Sequence, residues 1–296
     1  MQKFIDAMTQ LWPLTNVNVI NTLQAKGARH VIHVSTNEGH WVLKVLDPER
    51  TEEEARAYTD VLQFLSKLQT KIAPGILPQT DGRLYGRCDD RFMYVMEYIE
   101  GTQANETPED EFALGQLTAE LHAVEGYEVA STLDFQHTLR NMITRFKDRP
   151  YYEEYLRVLQ NIPDFTIHRQ SLMHTDIGPH NCLKQRDGNL ILVDFDDAGL
   201  GSTYIDVGYP LICQFVRFHD ETLQFDAQNA VAFYSGYQRK RRLTDEEIEL
   251  TFQGGVFMQA MYMDAYGEAA VDKMWAILQY ALEHRDVLKQ AIRNEV

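Results

Sequence analysis

An Asp-Gly dipeptide inside a short apolar segment is the feature that most constrains the fold of this chain. Asp187-Gly188 separates the residues CLKQR from NLILVD, and this dipeptide favours a two-residue type I′ turn between antiparallel strands. Pairing outward from that turn sets Asn181 opposite Asp194, and such partners have Cβ atoms about 4.5–5.5 Å apart. The turn therefore predicts that an amide oxygen and a carboxylate lie side by side.

Two oxygen-bearing side chains at that spacing suit a hard cation. Mg²⁺ is commonly held by one or two protein ligands, while phosphate oxygens and waters complete its coordination. Asp176 lies five residues before Asn181, in a loop that contains Gly178 and Pro179. A carboxylate at this position can accept the proton of a hydroxyl group. The segment thus contains the parts that phosphoryl transfer requires.

The distribution of strand and helix patterns predicts an α+β fold. Strand patterns dominate the first hundred residues, and a helix begins at a capping box formed by Thr51 and Glu54. From about residue 108 onward, the apolar spacing is mostly helical. We expect a small β-rich lobe over residues 1–100 with a hinge near 97–101, and a larger helical lobe over 101–296. Ligands commonly bind in the cleft between two such lobes.

Two motifs give the chain a family resemblance. An HxDxxxxN pattern spans residues 174–181, and a DFD triplet follows at 194–196, as in the catalytic and metal-binding segments of kinase-fold enzymes. More closely, the chain resembles the aminoglycoside phosphotransferase and choline kinase family over roughly residues 17–215. The resemblance implies a two-lobed, protein-kinase-like α+β fold. It also implies transfer of the γ-phosphate of ATP to a hydroxyl group of a small molecule, with ATP and Mg²⁺ as cofactors.

The resemblance assigns roles to residues of the second lobe. Asp176 is the catalytic base that orients the acceptor hydroxyl, and His174 braces the catalytic loop. Asn181 and Asp194 bind Mg²⁺. Asp206 supports the loop by accepting hydrogen bonds from it.

One position departs from the family pattern. The residue between the histidine and the aspartate, usually glycine, is Thr175. A β-branched residue is strained if this position requires a positive φ. A catalytically inactive, nucleotide-binding pseudokinase module therefore stays open as an alternative. The expected phosphate-binding loop at residues 24–29 favours the same alternative, because Gly27 is its only glycine.

The resemblance places the nucleotide in the first lobe. Lys44 is the only charge in the apolar strand WVLKVL, and it would contact the α- and β-phosphates. We expect Glu54 on the next helix to pair with it, with Glu53 as the substitute; the competing role of Glu54 is the capping box. Gly27 would lie near the phosphates.

The strand and linker MYVMEYIEG resemble the segment that holds adenine in this family. Met96 would form one wall of the adenine pocket. The backbones of Glu97 and Ile99 would hydrogen-bond the base. The simpler interpretation is a buried strand followed by a loop.

The resemblance implies that the acceptor is a small molecule with a hydroxyl group, and Asp197 is a candidate anchor for a cationic group on it. The net charge of −16 is compatible with a cationic substrate, although acidic enzymes also gain solubility from such a balance. A Met- and aromatic-rich stripe at residues 257–266 is more typical of core than of a cation-binding cage. The sequence does not choose among an aminoglycoside, choline, homoserine and a similar metabolite.

The composition argues against nucleic acid and membranes as partners. An acidic surface repels nucleic acid and anionic membranes, and the basic run at residues 239–242 is interpreted as a solvated helix end. No apolar run approaches the roughly 18 residues that span a bilayer. The three cysteines form no CxxC pair, as expected for reduced thiols in a cytoplasmic protein. We expect a monomer or a homodimer that binds neither nucleic acid nor membrane.

A metal hydrolase is a further alternative. His174, Asp176 and His180 could supply imidazole and carboxylate ligands to zinc or manganese. That interpretation leaves the Asn181–Asp194 pairing without a role, so we rank it below the kinase.

Overall fold

The computed structural model describes residues 1–26, 29–131 and 133–294. Its helices are α1 Gln2–Leu11, α2 Glu52–Leu65, α3 Pro108–His122, α4 Phe135–Thr144, α5 Tyr152–Gln160, α6 Thr203–Tyr209, α7 Ala227–Lys240, α8 Asp245–Met261, α9 Val271–Glu283 and α10 Arg285–Arg293. Its strands are β1 Asn18–Lys26, β2 Arg29–Thr36, β3 Gly39–Val45, β4 Ile76–Leu77, β5 Tyr85–Cys88, β6 Arg91–Glu97, β7 Thr102–Gln103, β8 Gln170–Met173, β9 Cys182–Lys184, β10 Leu190–Leu192, β11 Gly199–Ser202, β12 Val216–His219 and β13 Thr222–Phe225. Gly27, the expected phosphate contact, lies outside the described residues.

The chain forms two compact units. The first combines Met1–Thr102 with Leu183–Ala198, and the second combines Gln103–Cys182 with Gly199–Val296. The first unit therefore includes Leu183–Ala198, a segment that the predicted lobe of residues 1–100 does not contain. No described helix has both the length and the hydropathy that crossing a membrane requires.

The first unit is built on an antiparallel sheet with the strand order β1-β2-β3-β6-β4, and β5 also pairs with β6. Strand β3 lies inside this sheet and sets Lys44 opposite Val31 on one side and Tyr94 on the other. Helix α1, which the sequence patterns did not predict, places Phe4 and Met8 in the apolar cluster of this unit. Burial of these side chains attaches the helix to the sheet.

The Asp-Gly turn forms, but not with the predicted register. A type I′ turn needs a positive φ at both central residues, whereas Gly188 has φ +88° and Asp187 is not among the residues with positive φ. Gln185 N–H donates to Asn189 O at 2.9 Å, so Gln185 and Asn189 close the hairpin around three loop residues. The Asp187 carboxylate accepts the Asn189 N–H at 3.0 Å, a local bond that Asp makes readily in turns. The predicted two-residue turn would set Arg186 opposite Asn189, and this pairing is wrong because Gln185 is the partner of Asn189. The Asn181–Asp194 register therefore does not follow from this turn.

The second unit is mainly helical, and its helices α3 and α7 meet through glycines. A Cβ at Gly236 would lie 2.0 Å from Phe112 O, and one at Gly115 would lie 2.0 Å from Phe233 O. Backbones can approach this closely only where no side chain intervenes. Elsewhere in this unit Phe257 and Met258 of α8 are fully buried, as expected for core residues.

Because of this close approach, we expect Gly236→Ala to lower the free energy of unfolding by about 2–3 kcal/mol or more, since overpacking forces backbone shifts. Urea unfolding would measure the change. The control is Gly75→Ala, where a Cβ would lie an ordinary 3.5 Å from Glu97 Oε2. Equal stability of the two variants would contradict the close α3–α7 packing.

Candidate active site

In the first unit, Lys44 is buried against two carboxylates. Its Nζ donates to Asp194 Oδ1 at 2.6 Å and to Asp196 Oδ1 at 2.8 Å, and the Lys44 side chain is only 2% exposed. Tyr94 OH also donates to Asp196 Oδ1, at 3.1 Å. A buried ammonium requires such partners, because an unpaired buried charge is strongly destabilising.

The two carboxylates around Lys44 differ in access to solvent. The Asp194 side chain is 24% exposed and that of Asp196 is 7% exposed. Asp194 also lies at φ +66°, a conformation that is uncommon outside glycine. Its oxygens are hard ligands that fit Mg²⁺. Among the residues that the structure describes, no group of three or more His, Cys, Asp or Glu side chains could hold a metal.

The expected pair of Lys44 with Glu54 is not the arrangement in the structure. Glu54 Oε1 accepts from Arg50 Nη1 at 2.7 Å, and Glu54 Oε2 accepts the Thr51 N–H at 2.7 Å. The capping box at the start of α2 is complete. Both carboxylate oxygens of Glu54 are therefore engaged within its own helix end, and the carboxylates on Lys44 come from Asp194 and Asp196 instead.

Asp197 is also placed differently from the expected substrate anchor. Arg50 donates to its two carboxylate oxygens at 3.0 and 3.2 Å, and Tyr58 OH donates to Oδ1 at 3.0 Å. Burial, followed by the charge of Asp197, raises the pKa of Tyr58, so this hydroxyl keeps its proton. The Arg50 guanidinium neutralises the Asp197 carboxylate, and the bond from Tyr58 attaches the segment after Asp194 to α2. These contacts do not support the assignment of Asp197 as an anchor for a cationic substrate.

The residues of the predicted adenine segment lie on and just after β6. Met96 and Ile99 are buried, with 8% and 4% exposure. The Glu97 N–H donates to Gly75 O at 2.7 Å, so this backbone donor is already engaged. Its side chain pairs with Lys71 at 2.6 Å. No contact in the structure tests the role of these residues, which stays a prediction.

In the second unit, Asp176 is surrounded by hydrogen-bonding groups. Asn181 Nδ2 donates to Asp176 Oδ2 at 2.8 Å, and His180 Nε2 lies 3.1 Å from Oδ1. Burial alone would raise the pKa of Asp176, but hydrogen bonds from His180 and Tyr209 and the charges of His180 and His174 hold that pKa below its ordinary value. An ionised carboxylate that is 38% exposed can accept a hydrogen bond from a hydroxyl group.

Asn181 is positioned by the same contact. Its Nδ2 also donates to the Asp176 carbonyl at 3.0 Å. Because the amide nitrogen makes both bonds to Asp176, the carboxamide oxygen is the atom that could bind a cation.

The loop that contains Asp176 is held in place by Asp206. Its carboxylate accepts the His174 N–H at 2.8 Å and the Thr175 N–H at 2.7 Å. Asp206 Oδ2 also lies 2.9 Å from Nε2 of His122, whose Nδ1 lies 3.1 Å from Tyr237 OH. His122 and Tyr237 are buried and were missed at the sequence level, because a histidine at a helix end looks like an ordinary terminal residue.

Thr175 has a strained backbone conformation. Thr175 has φ +75° and is 4% exposed. A β-branched residue in this region costs about 1–3 kcal/mol, and the bond from its N–H to Asp206 helps to hold it there. Such conformations cluster at functional sites.

The sequence analysis also missed a buried carboxyl group near the loop that contains Asp176. Glu111 is fully buried on α3, and Gln214 Nε2 donates to its Oε1 at 2.5 Å. Gln214 ends a π-helical turn, Pro210–Gln214, and its Oε1 would lie 3.3 Å from a Cβ at Gly178 in the loop. Burial, followed by the charges of Glu106 and Asp226, raises the pKa of Glu111 to about 8. In the sequence, a glutamate in a first helical turn indicates only a favourable dipole interaction.

Comparisons with known proteins identify the family to which this chain is related. A family model described as "Phosphotransferase enzyme family" matches residues 22–243. A homoserine kinase of Beijerinckia indica is 22% identical over 257 residues, which cover 79% of this chain and 77% of that protein.

Solved structures show a similar fold. An amicoumacin kinase in complex with AMP-PNP, Ca²⁺ and Ami has a TM-score of 0.69 at 16% identity, covering 97% of this chain and 94% of that one. A microcompartment-associated aminopropanol kinase has a TM-score of 0.67 at 17% identity, covering 100% and 98%. The kinase-like α+β fold expected from the sequence is confirmed.

Proposed function

The chain belongs to the phosphotransferase enzyme family of small-molecule kinases, and from this premise we propose that it transfers the γ-phosphate of ATP to a hydroxyl group of a small molecule. The observation that carries the proposal is the ionised Asp176, with Asn181 bonded to one oxygen of its carboxylate. Asp176 orients the acceptor hydroxyl and takes its proton as the new oxygen–phosphorus bond forms. The bond between the γ-phosphorus and ADP breaks in the same transfer.

The other residues hold the nucleotide and its cation. Lys44 contacts the α- and β-phosphates, in place of part of its present pairing with Asp194 and Asp196. Asn181 and Asp194 are the residues that would hold Mg²⁺. When bound, this ion neutralises phosphate charge. His174 and Asp206 keep the loop in place.

We propose a small amino alcohol as the acceptor. Homoserine, aminopropanol and ethanolamine, which carry both an amine and a hydroxyl group, appear in the names of three similar kinases. The chain's acidic balance of −16 favours a cationic acceptor over an anionic one. We place the enzyme in the cytoplasm, because Cys88, Cys182 and Cys213 are all free thiols.

A screen of ATP consumption tests the function. With Mg²⁺ present, we expect turnover with at least one of homoserine, aminopropanol, ethanolamine and an aminoglycoside. Lys44→Met should reduce kcat/KM for ATP by about tenfold or more, because hydrogen bonds to charged groups contribute about 1.5–3 kcal/mol. Equal ATP consumption by wild type and Lys44→Met, with or without acceptor, would contradict the proposal.

A nucleotide-binding module without turnover is the second candidate. The strained Thr175, at φ +75°, favours it, because the family usually has glycine at this position. In that case ATP and Mg²⁺ would raise the melting temperature, while no acceptor in the panel would be phosphorylated.

A further inference from the structure

A pocket of about 400 Å³ lies in the second unit, at the carboxyl end of α7. This volume falls within the range of small-molecule sites. Three arginines, three uncharged polar residues and one aromatic ring line it: Arg239, Arg242, Arg293, Ser235, Gln238, Asn294 and Phe112. None of the seven is acidic. Two of the arginines belong to the basic run that the sequence alone assigned to a solvated helix end.

Two of these guanidinium groups have no ion-pair partner among the residues that the structure describes. Arg293 Nη2 pairs with Asp245 at 2.9 Å. Over the described parts of the chain, neither Arg239 nor Arg242 forms a salt bridge, and Arg239 contacts the Phe112 ring at 6.0 Å. Unpaired arginines are unexpected in a chain with 28 basic and 44 acidic residues, since acceptors are abundant. Like charges gathered in one pocket repel each other, and an anion would remove that repulsion.

The uncharged polar groups of the pocket add donors rather than acceptors. Gln238 Oε1 accepts the Leu243 N–H at 3.1 Å, and its Nε2 donates to Ile292 O at 2.6 Å. Asn294 Oδ1 accepts from Ser235 Oγ at 2.9 Å, which leaves the Asn294 amide nitrogen as a donor. Both amide oxygens are therefore already engaged, and the pocket offers mainly N–H groups to a ligand.

We propose that this pocket binds a small molecule carrying a phosphate or carboxylate group. A guanidinium group has a planar fork of donors that matches both anions, and here two such groups lie in one concavity. The pocket does not include Asp176 or any residue bonded to it. The site is therefore distinct from the catalytic loop, and the proposal does not depend on the proposed function.

Helix α7 also contributes to the brace of the catalytic loop. Tyr237, between Gly236 and the pocket residue Gln238, bonds to His122 and through it to Asp206. Phe112 in the pocket follows the buried Glu111 on α3. The proposed site is thus built on the same helix pair that supports the loop.

Calorimetric titration without Mg²⁺ tests the site, with inorganic pyrophosphate and citrate as separate probes. We expect saturable 1:1 binding of at least one probe by the wild type. In Arg239→Gln/Arg242→Gln the dissociation constant should rise by about tenfold or more, because each arginine supplies charge-assisted hydrogen bonds. The double variant Arg140→Gln/Arg157→Gln removes the same charge from exposed positions outside the pocket and should bind like the wild type. Lys44→Met should also bind normally, which separates this pocket from the nucleotide site.

Several results would overturn the proposal. Equal weakening in the two double variants would show a general charge effect, and loss of binding in Lys44→Met would place the anion at the nucleotide site. Absence of saturable binding of both probes would also refute it. Binding of pyrophosphate alone or citrate alone supports it and identifies the anion. Thermal melting of Arg239→Gln/Arg242→Gln should match the wild type, since both side chains are exposed.

Discussion

The Asp176→Asn variant is expected to lose about 10²–10⁴-fold in kcat, the usual contribution of a positioned general base. Its fold should be retained, because an asparagine oxygen can still accept the hydrogen bond that Asn181 donates. The amide cannot take the proton of the acceptor hydroxyl, so the loss should fall on kcat. ATP binding should change little.

Steady-state kinetics with the acceptor found in the screen would measure this effect, together with thermal melting. Asp148→Asn is a matched control, because it changes an exposed aspartate of the same unit. Should Asp176→Asn retain kcat within tenfold of the wild type, Asp176 would not be the base. Loss of activity together with a large drop in melting temperature would indicate a structural role instead.

Glu111→Gln is expected to make the protein more stable than the wild type at high pH. The pKa of Glu111 is raised from 4.5 to about 8 in the folded state, so the folded chain holds a proton that the unfolded chain has released. The stability that this proton contributes is fully present below pH 4.5 and is lost as the pH rises through about 8. Because a pKa difference of one unit corresponds to about 1.36 kcal/mol, the loss of stability is on the order of 3–5 kcal/mol.

The physical reason is the surroundings of Glu111. Deprotonation leaves a buried negative charge facing Glu106 and Asp226, and Gln214 and Arg217 only partly offset it. Glutamine cannot ionise, so the variant keeps its stability in this pH range.

Urea unfolding at pH 5, 7 and 9 would measure the difference. The advantage of Glu111→Gln over the wild type should grow with pH, while Glu109→Gln, an exposed change on the same helix, should follow the wild type. Parallel curves for all three proteins would show that Glu111 ionises normally.

The hairpin of strands β9 and β10 shows which part of a turn a local sequence pattern can predict. The dipeptide at residues 187–188 predicted a turn, and a turn forms. The predicted register was wrong, because the Asp187 carboxylate accepts the Asn189 N–H and Asp187 keeps a φ outside the positive region. The assignment of Asn181 and Asp194 to the metal therefore depends on the family resemblance and not on strand pairing.

The sequence by itself determined the features that depend on near neighbours along the chain. These are the capping box between Thr51 and Glu54, the loop that contains Asp176 and Asn181, and the change from strand-rich to helical patterns. Each depends on backbone periodicity or on contacts within about five residues, which composition and spacing specify.

Only the tertiary structure decided the partners and protonation states of the charged groups. Lys44 bonds to a carboxylate 150 positions away, Asp197 is neutralised by Arg50, and burial raises the pKa of Glu111. Ion pairing and ionisation depend on burial and on charges brought together from distant segments. These are properties of the folded chain, because burial removes the water that would otherwise solvate each charge.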